Sequence, residues 1–565
     1  MPVKKSQTYY LYLGISISIA LYYGLWFYYF VSSQEYIVQD DVRQHIVWLQ
    51  RFIDPQLFTG DIIAEYFYNL APLGFKSLYI STAKIGIEPL LLAKLLPPVL
   101  GLIATIYTYL FVWQILPIPF AGCLSSLFIN QLMWLNDDLV SATHRAFIYP
   151  LFAAFLYYLA KKMLIFCLII MLLQGLFYPH ISLIQMTVLS LKLLVIKKDW
   201  IIIFTHKKQA YIWWIAGFII TAIALYPITQ KPPELATTFT AEQMRSMPEF
   251  NLGGRNAFFS NSWQYWFLGS SGLSLPLFPT VVWLGLALPW LLKTKLPTVK
   301  LISNKINILV QVTIASGIMF CLAHILLPKL HLPSRYTYHT LRFVLAISTG
   351  IVVTIGLILI KKYLKNKKQF NLLQKTRIAI VSGLAIAIVV FPAVPHVFTN
   401  WFQNWKIGTA PEIYRYLARQ PKDVTIASLS EEANNIPAFS QRSILVGREF
   451  AMAYHPSYYA QIEQRTVDLL QAQYSLDLQV VRSFVKKYGI DYWLLDSDTF
   501  TPEYLKKQDW LVNSSWANKT NAIIEQLETN SYDMWQELES SCSVVSTQSL
   551  HLLDSKCILQ SSSVE

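Results

Sequence analysis

Two adjacent carboxylates, Asp40 and Asp41, follow the first long apolar stretch of the chain. A carboxylate at a membrane surface can act as a general base that removes a proton from an incoming hydroxyl or amide. It can also hold a divalent metal ion beside a phosphate group. An acidic pair alone is typical of a solvated loop, but amphipathic segments follow this pair at once. We therefore treat both residues as candidate bases and favour Asp40.

A second acidic pair, Asp137 and Asp138, stands on another turn between apolar segments, and His144 and Arg145 follow it. Acidic residues on such turns are often only helix caps. If the two acidic turns are neighbours in space, their carboxylates could share a metal ion such as Mg²⁺ or Mn²⁺, or divide base and orienting roles. The candidate metal ligands are thus Asp137 and Asp138, and the candidate substrate contacts are His144 and Arg145. The sequence requires no cofactor beyond the metal ion that it leaves open.

Basic residues crowd the segment from His324 to Arg342, which the topology below places on the outer side of a membrane. The positive-inside rule disfavours Arg and Lys on outer turns, so this cluster needs a reason. Guanidinium groups suit bidentate contacts with phosphate, whereas the alternative role is snorkelling to lipid headgroups. The candidate substrate contacts here are His331, Arg335, His339 and Arg342. Two further candidates are His180, on a short outer turn, and Arg255, in the long outer loop over 228–274.

Several familiar motifs are missing from the sequence. It contains no Walker A loop, no glycine-rich dinucleotide fingerprint after a strand, no HExxH and no CxxC. Chemistry on a soluble nucleotide is therefore unsupported, and a lipid-linked substrate at the outer membrane face is the natural donor.

The composition is that of a membrane protein. Of the 565 residues, 54% are hydrophobic and only 14% are charged, against about 25% charged in soluble proteins. From Trp401 onward 14 Lys and Arg stand against 20 Asp and Glu, whereas the first 400 residues carry 32 against 13. A membrane body with basic loops and an acidic soluble tail explains this distribution better than nucleic-acid binding does.

The apolar segments predict about eleven membrane helices. Tyr9–Val31 follows Lys4 and Lys5 and is longer than the apolar region of about 7–15 residues in a signal peptide, so it predicts an uncleaved helix with a cytoplasmic amino terminus. The other predicted spans are 94–116, 118–135, 145–160, 163–177, 178–196, 209–227, 275–292, 306–328, 340–360 and 378–397. Lysine pairs such as Lys161-Lys162 and Lys207-Lys208 then fall on the cytoplasmic side.

The chain divides into a transmembrane domain over 1–400, with a first outer loop over 32–93, and an outer α/β domain over 401–565. In the loop, apolar spacing predicts interfacial helices over Val42–Ile53 and Ile62–Leu70, the second capped by Asp61. The segment 75–93 predicts a re-entrant or surface helix. In the tail, a helix over Gln479–Tyr488 closes at Gly489 before a strand. Cys542 and Cys557 could pair outside the cytoplasm, a question that spacing leaves open.

This arrangement resembles the integral-membrane type C (GT-C) glycosyltransferase superfamily, and most closely its bacterial members of unassigned acceptor. The resemblance rests on the first-loop acids, the interfacial helices, the multi-helix body and the outer α/β domain. It implies that Asp40 or Asp41 is the catalytic base and that Asp137 and Asp138 occupy a second acidic motif. It also implies that Arg335 or Arg342 holds the lipid phosphate.

The resemblance implies inverting transfer of a sugar from a polyprenyl-phosphate donor to an extracytoplasmic lipid, glycan or protein, in the inner (plasma) membrane. No peptide-acceptor signature stands in the tail, so protein N-glycosylation is not expected. The competing hypothesis is a transporter or flippase, which would carry carboxylates inside its helices. A non-catalytic assembly subunit is a third reading. The expected partners are the lipid-linked donor, membrane lipids and an unidentified acceptor, without nucleic acid.

Overall fold

The computed structural model describes residues 6–135, 137–196, 202–259, 261–276, 278–366, 376, 383 and 405–561. Within these residues a helical body precedes an α/β domain. The last predicted span, 378–397, lies outside the described residues. Five described helical segments are long and apolar enough to cross a membrane: Gln7–Ser32, Pro89–Ile115, Lys208–Thr229, Asn304–Ile325 and Pro333–Lys365. The chain is therefore a helical membrane protein, and the count of about eleven helices stays a prediction.

The helices of the body overlap the predicted segments, with two differences: in 178–196 the helix ends at Leu191 and a strand follows, and 275–292 contains a 3₁₀ turn and a five-residue helix. They are α1 (Gln7–Ser32), α2 (Asp40–His45), α3 (Ile62–Leu70), α4 (Leu73–Lys84), α5 (Pro89–Ile115), α6 (Pro119–Trp134), α7 (Asp137–Val140), α8 (Ile148–Lys161), α9 (Leu164–Phe177), α10 (Pro179–Leu191), α11 (Lys208–Thr229), α12 (Pro233–Ala236), α13 (Ala241–Ser246), α14 (Ser262–Phe267), α15 (Leu288–Leu292), α16 (Asn307–Ile325) and α17 (Tyr338–Asn366). Short 3₁₀ turns precede several of them, including Val47–Phe52, His144–Phe147, Thr280–Ala287 and Pro333–Tyr336.

Several of the predicted spans form helices that are too short to cross a bilayer alone, among them α10 with 13 residues. Helices α8 and α9 have 14 residues each, which at 1.5 Å per residue gives about 21 Å, against a hydrocarbon thickness of about 30 Å. Helix α8 ends because Lys162 adopts the left-handed conformation, with φ of 60°. The two helices then pack against each other.

The centre of the bundle is built on close contact between α6 and α17. At Gly350 an added Cβ would lie 2.7 Å from the backbone nitrogen of Ser125, so only glycine allows the two backbones to approach this closely. Helix α6 leads into the turn that carries Asp138, and the first turns of α17 carry His339 and Arg342. The packing of these two helices therefore brings the second acidic turn to the basic segment.

The first outer loop begins with a strand that belongs to the carboxy-terminal part of the fold. Strand β1 (Ile37–Gln39) pairs antiparallel with β4 (Trp405–Ile407), with Gln39 opposite Trp405. Helix α2 starts at the next residue, and the side chain of Gln39 accepts a hydrogen bond from the backbone of Asp41. The pairing of β1 with β4 therefore holds Asp40 and Asp41 next to the carboxy-terminal domain.

The predicted helices of the loop are present, with two changes. Helix α3 spans Ile62–Leu70, and Asp61 accepts hydrogen bonds from the backbone of Ile63 and Ala64, which confirms the predicted cap. The helix predicted over Val42–Ile53 is split into α2 and the 3₁₀ turn Val47–Phe52. The segment 75–93 divides between α4 and the first turn of α5.

The carboxy-terminal domain is α/β, as predicted. Its five-stranded sheet has the order β6-β5-β7-β9-β8, in which β5 (Thr425–Ala427), β6 (Ser443–Ile444) and β7 (Tyr492–Asp496) are parallel and β8 (Ser543–Ser546) and β9 (Leu550–Asp554) are antiparallel to their neighbours. A separate hairpin in the body joins β2 (Leu194–Ile196) to β3 (Ile202–Phe204).

Helices cover this sheet, and a disulfide closes its last segment. The helices are α18 (Pro411–Ala418), α19 (Ile436–Phe439), α20 (Pro456–Gln473), α21 (Leu478–Tyr488), α22 (Pro502–Lys506), α23 (Asp509–Val512), α24 (Ala517–Leu527), α25 (Asp533–Cys542) and α26 (Ser555–Gln560). Helix α21 ends at Gly489 in the left-handed conformation, as the sequence predicts. Cys542 and Cys557 form a disulfide between α25 and α26, which resolves the pairing left open above.

The first outer loop and the carboxy-terminal domain share one hydrophobic core. The rings of Tyr66 and Tyr458 stack with centroids 3.6 Å apart, and Trp48 packs edge-on against Phe450. Both units therefore lie on the same side of the helical body and hold one another in place.

Candidate functional site

The two acids of the first loop have different partners. Asp40 pairs with Arg43, one turn further along α2, and lies 4.0 Å from Lys406 of β4. Arg43 is buried and also contacts the carboxy-terminal domain, where its guanidinium donates to Asn435 at 2.9 Å and to Glu449 at 3.3 Å. Asp40 is therefore part of the junction between the loop and the domain.

Glu449 is the centre of that junction. Its buried carboxylate accepts hydrogen bonds from Gln44 and Arg43, and Arg255 lies 3.2 Å from the same group. Arg255 also donates to the backbone carbonyls of Arg448 at 2.8 Å and Glu449 at 3.1 Å. Desolvation raises the pKa of Glu449 although the two guanidinium groups oppose this shift. Arg255, a predicted substrate contact, thus ties the long outer loop to the carboxy-terminal domain.

Asp41 instead faces the helical body, where Arg145 joins the two acidic turns. One guanidinium nitrogen of Arg145 pairs with Asp41, and the other lies 3.5 Å from Asp138. The second carboxylate oxygen of Asp138 lies 3.6 Å from Nδ1 of His339. Asp41, Arg145, Asp138 and His339 therefore form a continuous polar row. The two acidic turns are therefore neighbours in space, as the shared role considered from the sequence requires. Asn136 and the side chain of Asp137 lie outside the described part of the chain.

A row of imidazole and phenol rings runs beside these charges, from the first loop to the carboxy-terminal domain. Successive ring centroids along it are 5.0–5.7 Å apart. Its members are His45, His144, Tyr178, His180, His331 and Tyr454. Five different segments of the chain thus contribute to one ring-lined surface, which includes three of the predicted substrate contacts.

Arg335 supplies positive charge to this surface. Desolvation lowers the pKa of the His45 imidazole to about 4, and the nearby guanidinium of Arg335 adds to the shift. Burial, together with Arg335 and neighbouring imidazoles, also holds the pKa of His144 and of His331 well below the usual histidine value. At neutral pH these rings are therefore neutral, and the positive charge is concentrated on Arg335 and Arg145.

Arg342 has a separate environment within the first turns of α17. Its guanidinium lies over the ring of Tyr338, 3.4 Å from the centroid, and the side chain is buried. The neighbouring His339 packs edge-on against Tyr149 of α8. Of the two arginines predicted to hold phosphate, Arg335 is thus the one beside the row of rings.

The described residues do not fit a divalent metal. Among them no group of three or more His, Cys, Asp and Glu side chains is placed to hold a metal ion. Asp41 and Asp138 do converge, but the guanidinium of Arg145 lies between them. A metal ligand role for Asp137 and Asp138 stays a prediction.

Sequence reasoning missed Arg43, Gln44 and Glu449. Arg43 stands three residues after Asp40 on a helix, a spacing that could have indicated the pair. Glu449 gives no comparable local signal, because its partners come from the first loop and the long loop.

The fold matches solved structures of oligosaccharyltransferase from Archaeoglobus fulgidus, one of which is described as the archaeal enzyme AglB. The structure in complex with Zn and sulfate matches with a TM-score of 0.52 at 10% identity, covering 88% of this chain and 70% of that one. The apo form gives 0.51 at 10% identity, with 90% and 72% covered. The complex with an inhibitory peptide and a dolichol-phosphate gives 0.50 at 12%, with 89% and 72% covered. No family model and no curated protein matches the chain.

Proposed function

We propose that this protein transfers a sugar or glycan from a polyprenyl-phosphate-linked donor to an extracytoplasmic acceptor, with Asp41 as general base. The observation that carries the proposal is the placement of Asp41 beside Arg145, on the row that leads through Asp138 to the basic segment. The GT-C fold supports a lipid-linked donor, since AglB has been captured with a dolichol-phosphate.

Both acids pair with an arginine, and Asp41 suits the base role better than Asp40 because its partner Arg145 belongs to the helical body and also reaches Asp138. Asp40 is held by Arg43, which is itself committed to Asn435 and Glu449 of the carboxy-terminal domain. Asp41 faces the helical body with 20% of its side chain exposed, compared with 29% for Asp40 and 1% for Asp138. A base must reach the acceptor that it deprotonates. Asp41 meets that requirement within the site, and Asp138 orients it through Arg145.

The leaving phosphate fits the surface around Arg335. A departing phosphate carries developing negative charge, which a fixed guanidinium stabilises. The neutral imidazoles of His144, His180 and His331 can each donate one hydrogen bond without adding charge. The proposed substrate contacts are therefore Arg335 and these three histidines, together with His339 and Arg342. Because the acceptor would enter opposite the leaving group, the transfer is inverting.

The proposed location is the outer face of the inner (plasma) membrane, with a cytoplasmic amino terminus. The apolar helices present lipid-facing surfaces: α11, for example, exposes Ile212, Ile215, Phe218 and Ile219. The acceptor would approach from the side that holds the first loop and the carboxy-terminal domain. A transporter or flippase is the alternative, but Asp41 and Asp138 lie in α2 and in the short α7, outside the long membrane helices.

The test is transfer by the purified, full-length protein in lipid nanodiscs. Synthetic polyprenyl-phosphate sugars with a labelled sugar are supplied, and release of polyprenyl phosphate is measured together with capture of the label by envelope lipid or glycan. Release of polyprenyl phosphate that depends on the protein supports the proposed glycosyltransferase activity. Donor movement across proteoliposomes without cleavage would instead establish the transporter.

Paired variants assign the base. Asp41→Asn should lower the transfer rate by about 10²–10⁴-fold, the usual contribution of a general base. Asp40→Asn should reduce stability more than rate, since Asp40 holds the junction. The matched control is Glu35→Gln. Glu35 is an exposed carboxylate at the start of the same loop and pairs with Arg415 of the carboxy-terminal domain. Wild-type transfer by Asp41→Asn would overturn the assignment.

A further inference from the structure

The guanidinium of Arg145 occupies the position between the two acidic turns. It contacts Asp41 through one terminal nitrogen and Asp138 through the other, so that its planar fork spans both carboxylates. The side chain is 13% exposed. This is the place where the sequence alone would put a divalent cation shared by the acids.

The charges around Arg145 leave little attraction for such a cation. Both carboxylates already face the positive charge of Arg145, and Nδ1 of His339 lies 3.6 Å from the other oxygen of Asp138. Arg335 adds a second positive charge close by: burial lowers the pKa of Arg145, and the charge of Arg335 adds to that shift. A divalent ion at this point would face two guanidinium groups, and like charges at short range repel strongly in a poorly solvated site.

We propose that Arg145 is a built-in cation that replaces a divalent metal ion, holding Asp41 and Asp138 in register so that transfer needs no metal. This inference rests on the proposed function. Arg145 is a positioning residue that acts through Asp41. It pairs directly with Asp41 and lies 3.5 Å from the buried Asp138, so it holds both carboxylates while Asp41, the more exposed of the two, accepts the proton.

The proposal predicts the response to metal and chelator. Wild-type transfer should stay within about twofold after treatment with EDTA and after addition of Mn²⁺, and Mn²⁺ electron paramagnetic resonance should show no bound ion. Arg145→Ala exposes the two carboxylates to each other. It should lose at least about tenfold in rate, bind Mn²⁺, and regain transfer with Mn²⁺ or with free guanidinium ion.

Two further variants control for folding. Arg145→Lys keeps a positive charge but cannot span both carboxylates, so it should retain part of the rate and bind no Mn²⁺. Arg51→Ala removes an arginine that pairs with Glu65 in the first outer loop. Its transfer rate and Mn²⁺ binding should equal those of the wild type. Thermal unfolding establishes that each variant is folded. If Arg145→Ala does not fold, Arg145→Lys is used to test the proposal.

Three outcomes would overturn the proposal. The first is wild-type transfer that EDTA abolishes and Mn²⁺ restores. The second is an Mn²⁺ signal in the wild type at least as strong as in Arg145→Ala. The third is full activity of Arg145→Ala in EDTA. Because Mn²⁺ binding is measured without substrate, the proposal is tested even if no donor is cleaved, and that failure would count against the proposed function alone.

Discussion

Asp138 and His339 face each other between α7 and α17, with Oδ2 and Nδ1 3.6 Å apart and both side chains 1% exposed. These residues are separated by two hundred positions in the chain, yet they form the buried end of the row that begins at Asp41. A buried carboxylate is costly unless it is paired. Arg145 supplies positive charge beside Asp138 and His339 lies next to it, so the acidic turn, the basic segment and the first loop meet at this point.

The first prediction concerns Asp138. Asp138→Asn should destabilise the protein by about 3–5 kcal/mol, because it leaves the buried Arg145 with one carboxylate partner fewer. Transfer should also fall, since Arg145 would hold Asp41 less firmly. Thermal unfolding in detergent measures the first effect. The control Glu65→Gln breaks an exposed pair with Arg51 and should change stability by less than about 1 kcal/mol. Equal effects of the two substitutions would contradict this account.

The second prediction concerns the junction at Glu449. Arg43→Met removes the partner of both Asp40 and Glu449 and should cost about 3–5 kcal/mol. The double variant Arg43→Met with Glu449→Gln also removes the carboxylate that Arg43 neutralises. Part of the lost stability should therefore be recovered. A double-mutant cycle from unfolding midpoints gives the coupling, expected at about 0.5–3 kcal/mol. Strictly additive effects would show that the two residues do not interact.

The sequence predicts those parts of this fold that depend on neighbours in the chain. Asp61 and Gly489 mark the start of α3 and the end of α21 through their own backbone geometry, so both boundaries could be read directly. The helix over Val42–Ile53 was predicted from apolar spacing alone. The spacing gave no sign that the chain changes to a 3₁₀ turn at Val47.

The site was predictable in its residue types but not in its pairings. Asp41, Arg145 and Asp138 all stood out in the sequence, since each combines charge with a turn between apolar segments. Which acid would face the body was not predictable, because it depends on the pairing of β1 with β4. The contact of Arg43 with Glu449 joins residues 406 positions apart. Such contacts follow from tertiary packing, which a single sequence does not encode in any local pattern.

The third prediction is a loss of stability in acid. The pKa of His45 is lowered to about 4 from an ordinary value of 6.5, and the unfolded chain would take up a proton near that ordinary value. Stability from the neutral ring is therefore complete above about pH 6.5 and is lost as the pH falls towards 4, by about 3 kcal/mol in total. His144 and His331 shift in the same direction.

Unfolding temperatures measured from pH 7 to pH 4 test this loss. The wild-type unfolding temperature should fall across that range, and His45→Gln should reduce the slope. His206→Gln, at an exposed histidine before α11, should keep the wild-type slope. A slope unchanged in His45→Gln would show that this ring does not contribute.

The fourth prediction uses two glycines of α17. Gly350→Ala would bring a Cβ to 2.7 Å from the backbone nitrogen of Ser125, so α6 and α17 must move apart. Because α6 leads to Asp138 and α17 begins with His339, this movement should weaken the site as well as the fold. We expect destabilisation of about 1–3 kcal/mol, the usual cost of overpacking, together with reduced transfer. Gly356→Ala, on the same helix with no atom within 4 Å of the added Cβ, should leave transfer unchanged and hold or raise stability. Stability and transfer rate are measured for both variants. Equal changes in Gly350→Ala and Gly356→Ala would contradict the proposed coupling.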